Sequence, residues 1–443
     1  MTRIENRTSL SASPTHEVAL EAIEAGIEAC HPSTVVKSSI SRSGDRLRVG
    51  PTTLDLSDYE EVIVLGGGNA ASQVAQALES ILGTKLDGGI VITDDPAETH
   101  RVTVLPGDHP TPSERGIDST RKLLDRAGNA GEDTLVLGVI TGGGSAVMPA
   151  PAADLDRRAL SETTERLLAS GAPIEDVNAV RKHLSDIKGG RLAARLAPAR
   201  TVAVLLSDVV GNRLDVIASG PLVPDPTTYE HAQDVISRFE LSVPGAVIEH
   251  LERGAAGDRP ETPKPGDSVF ERVSTHVIAD GMTALEAAAS VVAQRGFDPL
   301  ILSSRVTGEA AEAAKTHAAV ANESLATGTP IEPPAAVLSG GETTVTVEGS
   351  GSGGPNQEFA LSAGLALDGE TVVAAVDTDG IDGASDAAGA IVDRDAIDRP
   401  QALSALEAND SGAYLRECER TIRTGPTGTN VNDLRLFLVP GSE

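Results

Sequence analysis

Apolar residues recur at helical spacing over residues 15–30 (THEVALEAIEAGIEAC), which predicts an amphipathic helix near the N-terminus. Beyond it, short continuous apolar runs alternate with helical patterns. Glu61–Leu65 (EVIVL), Gly89–Thr93, Thr134–Ile140 and Thr201–Leu206 predict strands buried on both faces. Ala70–Leu82, Ser113–Ala127 and the segments near 157–169 and 175–187 predict the helices between them. Strands alternating with helices predict a parallel, doubly wound α/β sheet. Residues 252–268 (ERGAAGDRPETPKPGDS) are polar and rich in Pro and Gly. They predict a boundary that divides the chain into domains 1–250 and 251–443. Strand patterns near 274–278, 299–302, 335–339, 343–348, 371–377 and 434–438 predict a second, smaller α/β domain.

Glycine-rich polar clusters follow these strands: GGGNAAS (66–72), TGGGSA (141–146), SDVVGNRLD (207–215), SGGET (339–343) and DTDGIDGASDAAG (377–389). Ligands of open α/β sheets bind beyond the carboxyl ends of the strands. Glycine there lets backbone amides approach phosphate oxygens. Gly66, Gly67, Gly68 and Asn69, with Gly142, Gly143, Gly144 and Ser145, are therefore candidate anion-binding positions. No GxxxxGK[ST] motif occurs, which excludes a P-loop NTPase. Gly66–Ala71 fits GxGxxA after a strand and before a helix, and Asp94 and Asp95 end the next strand, so a dinucleotide-dependent reductase stays open.

Charge narrows the choice. Of 443 residues, Asp and Glu number 65 against 36 Lys and Arg, for a net charge of −29. Such a chain does not bind nucleic acid or an anionic membrane surface by electrostatics. The acid is spread along the chain, aromatics are 2%, and only seven lysines occur, a pattern that suggests a salt-loaded, halophilic interior where screening limits self-repulsion. The two cysteines, Cys30 and Cys418, outline neither a disulfide framework nor a zinc site. No apolar run reaches the length of a membrane span, and MTRIENRTSLSAS lacks a signal-peptide core, so a cytoplasmic enzyme is expected.

Against that scarcity of lysine, Asn178–Arg191 (NAVRKHLSDIKGGR) holds Arg181, Lys182, Lys188 and Arg191. On a continuous helix Arg181 and Lys188, seven apart, share one face. Such a basic island suits phosphate or carboxylate binding, and Arg181, Lys182 and Lys188 are the catalytic candidates, with Arg191 as a binding residue. His183 reads more readily as a core histidine, and His109 lies in a stiff turn. Asp208, Asp215, Glu342, Asp379, Asp382 and Asp386 flank glycine turns at strand ends. Asp208 and Asp379 each directly follow a buried strand and are the preferred Mg²⁺ ligands, since Mg²⁺ takes one or two protein carboxylates plus phosphates and water.

Taken together, NAVRKHLSDIKGGRLA, LLSDVVGNRLDVIASGPLVPDPTTY, LSGGETTVTV, GGPNQEFAL, DTDGIDGASDAAGA and TGPTGTNVNDLRL resemble the class II glycerate kinase family over nearly the whole chain. The resemblance implies a large Rossmann-like N-terminal domain, a smaller MOFRL-type C-terminal domain and an active site in the cleft between them, closed to exclude water. It implies transfer of a phosphoryl group from ATP, with Mg²⁺, to the 2-hydroxyl of D-glycerate, and adds Asp208 to the catalytic set and Asn356 and Glu358 to the binding set. A small-molecule substrate is the expected partner; a homodimer is compatible with this reading. Two positions depart from the family pattern: Asn69 stands where a GxGKA motif has Lys, and Pro355 where GGRNQE has Arg. The alternatives are an NAD(P)H-dependent hydroxypyruvate reductase and a non-catalytic metabolite-binding paralogue, the second motivated by the two missing cations.

Overall fold

The computed structural model describes residues 3–441 and divides the chain into two compact units. Of these residues, one unit comprises 35–207 and 212–278; the other comprises 3–34, 208–211 and 279–441. The boundary expected after residue 250 therefore falls at 278/279, and the N-terminal helix belongs with the C-terminal half.

The unit that begins at residue 35 opens with a small antiparallel sheet, β1 (Ile40–Ser43), β2 (Arg46–Val49) and β3 (Thr52–Asp55), which the hydrophobic pattern did not announce. Its main sheet holds β4 (Glu61–Gly67), β5 (Gly88–Thr93), β6 (Val102–Pro106), β7 (Thr134–Ile140), β8 (Arg200–Leu206) and β9 (Val273–Ala279) in the order β6-β5-β4-β7-β8-β9. The ladders from β6 through β8 are all parallel. β4, β7 and β8 are buried almost throughout, as expected of strands covered on both faces. β9, assigned from sequence to the second domain, is the edge strand of this first sheet. The helices Ala71–Leu82, Glu114–Gly128 and Arg157–Ala169 lie close to their predicted ranges.

The other unit is built on a six-stranded mixed sheet. It contains β10 (Asp298–Glu309), β11 (Ala335–Thr344), β12 (Val372–Asp377), β13 (Gly389–Asp393), β14 (Thr421–Ile422) and β15 (Asp433–Val439), ordered β10-β11-β15-β12-β13-β14. Only β10 and β11 run parallel; the other ladders are antiparallel. The strands expected at 335–339 and 343–348 are largely one, β11, which runs through Gly340 and Gly341. Side chains alternate strictly. Ala336, Leu338, Ala374, Leu434 and Leu436 pack under the helices Pro14–Cys30 and Gly281–Gln294. Ala335, Val337, Val373, Ala375 and Phe437 pack on the opposite face, against Ala310–Thr327 and Pro355–Ala366. The N-terminal helix joins this unit because Leu20, Ile23 and Ile27 share a core with β15. Among the described residues no helix is long and apolar enough to cross a membrane.

Candidate active site

The ends of β4 and β7 lock together. Thr141 N donates to Gly67 O (3.3 Å), Asn69 N to Gly142 O (2.9 Å) and Ala70 N to Thr141 Oγ1 (3.2 Å). A Cβ on Gly68, where φ is +134°, would lie 2.3 Å from Thr141 Oγ1, so glycine is required for this approach. The amides of Asn69 and Ala70, which a dinucleotide pyrophosphate would use, are thus spent on the neighbouring loop. The GxGxxA pattern here serves the packing of two strand ends. Asn69 Oδ1 is buried with no hydrogen-bond partner and lies against Gly143, where an added Cβ would come within 2.0 Å of it. Ser145, next along the second loop, is half-buried, and its hydroxyl lies 2.8 Å from that of Ser219.

The basic segment does not form one helix. The helix Ile174–His183 ends because the chain turns out to pair with residues 150–152: Ala152 N donates to Leu184 O (3.0 Å) and Asp186 N to Ala150 O (2.8 Å). Gly189 and Gly190, with φ of +57° and +80°, complete a turn before the next helix begins at Arg191. The four cations consequently have different fates. Lys188 is buried, and its ammonium donates to Ser145 O (3.0 Å). Burial, and then the charge of neighbouring Arg181, push its pKa well below the usual lysine range. Arg181 is also desolvated, which lowers its own pKa. Among the described residues neither has a carboxylate within ion-pair distance. Burial of two adjacent, uncompensated cations is unfavourable unless an anion joins them.

Lys182 instead pairs with buried Asp225 (3.3 Å) and with Asp215 (3.9 Å). Asp225 also accepts from Thr227 and Thr262. This closed network accounts for Lys182 structurally. Arg191 donates to Tyr229 Oη (3.2 Å) and Pro260 O (3.4 Å), which turns it away from the Lys188 loop. His183 is a core residue, as read: Nδ1 lies 2.7 Å from Ala179 O and Nε2 3.0 Å from Glu261. His109 is exposed.

In the other unit a set of carboxylates gathers around the ends of β12 and β15. Asp377 and Asp433 are cross-strand partners. Asp433 accepts from Asn356 Nδ2 (2.6 Å) and Thr343 N (3.1 Å) and pairs with the fully buried Arg435. Asp377 accepts from Asp379 N (3.1 Å); burial, and the charges of Asp379 and Asp433, raise its pKa to about 9. Asp379 is raised as well, by burial first and then by Asp433. Asn430 Nδ2 reaches Asp379 Oδ2 (3.4 Å), and Asn432 Nδ2 donates to Asp208 O (2.6 Å), so one turn, 430–432, holds both candidate metal ligands. Among the described residues no three His, Cys, Asp or Glu side chains group to hold a metal ion. Mg²⁺ needs only one or two carboxylates. Crowded carboxylates with raised proton affinity have the chemistry to bind such a cation.

The remaining candidates are structural. Asp382 accepts from the amides of Asn356 (2.9 Å) and Gln357 (2.8 Å), capping the helix Pro355–Ala366. Pro355 sits in the first turn of that helix, where a missing N–H costs nothing. Asn356 is buried between Asp382 and Asp433, and Glu358 turns toward Asn409. Asp386 pairs with Arg416 and Arg423. Glu342 is exposed and feels the charges of Asp433 and Asp208. Asp377, Asp433 and Ser219 were missed in the sequence, although Asp377 and Asp433 end or begin apolar strands as Asp379 and Asp208 follow them.

The fold defines a two-unit α/β protein with the Lys188–Arg181 cation pair in one unit and a cluster of carboxylates in the other. Residues 18–252 match the domain of unknown function DUF4147, and residues 335–433 match the MOFRL family. The chain is 36% identical to the D-glycerate 2-kinase of Thermotoga maritima over 96% of its own length and 98% of that protein's. It is likewise 36% identical to the glycerate 2-kinase of Pyrococcus horikoshii, covering 97% and 98%. A putative hydroxypyruvate reductase of Agrobacterium vitis is 38% identical, covering 85% and 99%. A crystal structure of a P. horikoshii protein superposes with a TM-score of 0.86 at 36% identity, over 97% of this chain and 100% of that one. That of T. maritima glycerate kinase gives 0.84 at 36% identity, over 96% and 99%. The chain belongs to the glycerate kinase family that joins a DUF4147 domain to a MOFRL domain.

Proposed function

We propose that this chain is a glycerate 2-kinase, transferring the γ-phosphoryl group of ATP to the 2-hydroxyl of D-glycerate. The observation that carries the reading is buried Lys188, tethered to Ser145 O, beside desolvated, partly buried Arg181, with no carboxylate in ion-pair distance of either among the described residues. Phosphoryl transfer is catalysed mainly by positioning and charge stabilisation. Lys188 and Arg181 are assigned to the phosphoryl oxygens or the glycerate carboxylate, and the backbone of the loop 142–145 to cradling the anion. These two cations supply charge in the unit where Asn69 supplies none. Asp379 and Asp208, with Asp377 beside Asp379, would hold Mg²⁺, which would supply positive charge for the transfer. A cytoplasmic setting, which supplies ATP and Mg²⁺, suits this reaction.

The committed amides of Asn69 and Ala70 weigh against the reductase reading. Phosphorus NMR of a reaction containing D-glycerate, ATP and Mg²⁺ tests the proposal: a 2-phosphoglycerate resonance is expected. Absence of any phosphorylated glycerate, with NADH oxidised in the presence of hydroxypyruvate, would overturn it.

A further inference from the structure

A chain of three side chains runs outward to the Lys188 loop. Asn178, buried on the helix that carries Arg181 one turn later, holds its Oδ1 3.0 Å from Ser219 Oγ. Ser219 is fully buried, and its hydroxyl lies 2.8 Å from that of half-buried Ser145. Ser145 in turn offers its carbonyl to Lys188 Nζ (3.0 Å), and Ser219 offers its own to Gly189 N (3.0 Å). The turn that places Ser219 is strained: Ala218 and Ser219 adopt φ of +50° and +61°, a conformation unfavourable for any residue but glycine.

The Asn178 amide, placed with Oδ1 toward Ser219 and with Nδ2 buried without a partner, sets the direction of this chain. A carbonyl oxygen only accepts, and a hydroxyl has one proton. Ser219 gives its proton to Asn178 Oδ1, so Ser145 gives its own to Ser219. Ser145 Oγ is then left with lone pairs only toward the ligand. It cannot donate to a phosphate oxygen, which distinguishes it from the anion-cradling serine expected of a glycine-rich loop. We propose that Ser145 Oγ accepts a hydrogen bond from a hydroxyl of the alcohol substrate, and that Ser219 and Asn178 are positioning residues that keep it an acceptor. Selection is then for an O–H group placed beside the cation pair, against carboxylate or phosphate oxygens at that point.

This inference rests on the kinase reading, and kinetics separate the two. Wild-type enzyme that forms no 2-phosphoglycerate sinks that reading. For the inference, Ser145→Ala is expected to raise the KM for glycerate about five- to tenfold, the net loss of one hydrogen bond, and to leave the KM for ATP unchanged. Ser219→Ala, which asks no more of the backbone than Ala218 already meets, should raise the glycerate KM in the same direction. In the Ser145→Ala background it should add nothing, because it acts through Ser145. A raised KM for ATP in Ser145→Ala, an unchanged KM for glycerate, or additive effects in the double variant would each overturn the inference in an enzyme that still turns over.

Discussion

Replacing Lys188 with Met separates function from stability in opposite directions. Its ammonium is buried, has Arg181 beside it, and makes a single hydrogen bond, to Ser145 O. Swapping buried charge for an apolar residue of similar volume stabilises proteins by about 1–4 kcal/mol. Loss of the hydrogen bond takes back about 1 kcal/mol. The expected net gain is about 0–3 kcal/mol, or roughly 0–12 °C in Tm for a domain of about 150–250 residues. Turnover should fall about 10²–10³-fold, the cost of one missing charge donor in a transition state. The pH dependence follows from the depressed pKa. Between that value and the ordinary 10.5 the unfolded chain binds the proton and the folded one does not. Wild-type stability therefore rises with pH across this window, and the variant lacks that increment. Calorimetry at several pH values, with phosphorus NMR for turnover, reads both quantities. A variant with wild-type kcat, or one whose Tm falls by several degrees, would refute the reasoning.

Lys182→Met should behave oppositely, since it strands Asp225: a loss of about 3–5 kcal/mol by denaturant titration, largely restored in Lys182→Met/Asp225→Leu, with kcat of the folded enzyme little changed. Equal stability of single and double variants would count against the ion-pair argument. Asp379→Asn should raise the Mg²⁺ concentration for half-maximal turnover about tenfold or more, because it removes one of the two carboxylates assigned to the ion; an unchanged Mg²⁺ titration excludes Asp379 as a ligand. With a net charge of −29, Tm should fall when KCl is lowered from about 2 M to about 0.1 M, as screening weakens over distances of several ångströms. A Tm independent of KCl would refute the halophilic reading.

The sequence alone determined the strands β4, β7 and β8 and the helix Arg157–Ala169, because a run of buried apolar residues or an amphipathic repeat is a local property. It also located the segments to which the proposed function assigns chemistry: both glycine loops, the basic stretch and the Asp-rich turn. It did not determine which cation in 181–191 is free of a partner. That depends on Asp225, 43 residues from Lys182, and on residues 150–152, which end the helix at His183 and swing Lys188 onto the Ser145 loop. Nor could it place the N-terminal helix with a sheet completed by residues 433–439, since an apolar face states that it will be buried and not against what. The difference between Lys182, neutralised in a closed network, and Lys188, buried without a carboxylate, is a difference in neighbours. Neighbours distant in sequence are decided by the tertiary fold, because the free energy of a charge depends on what surrounds it in space.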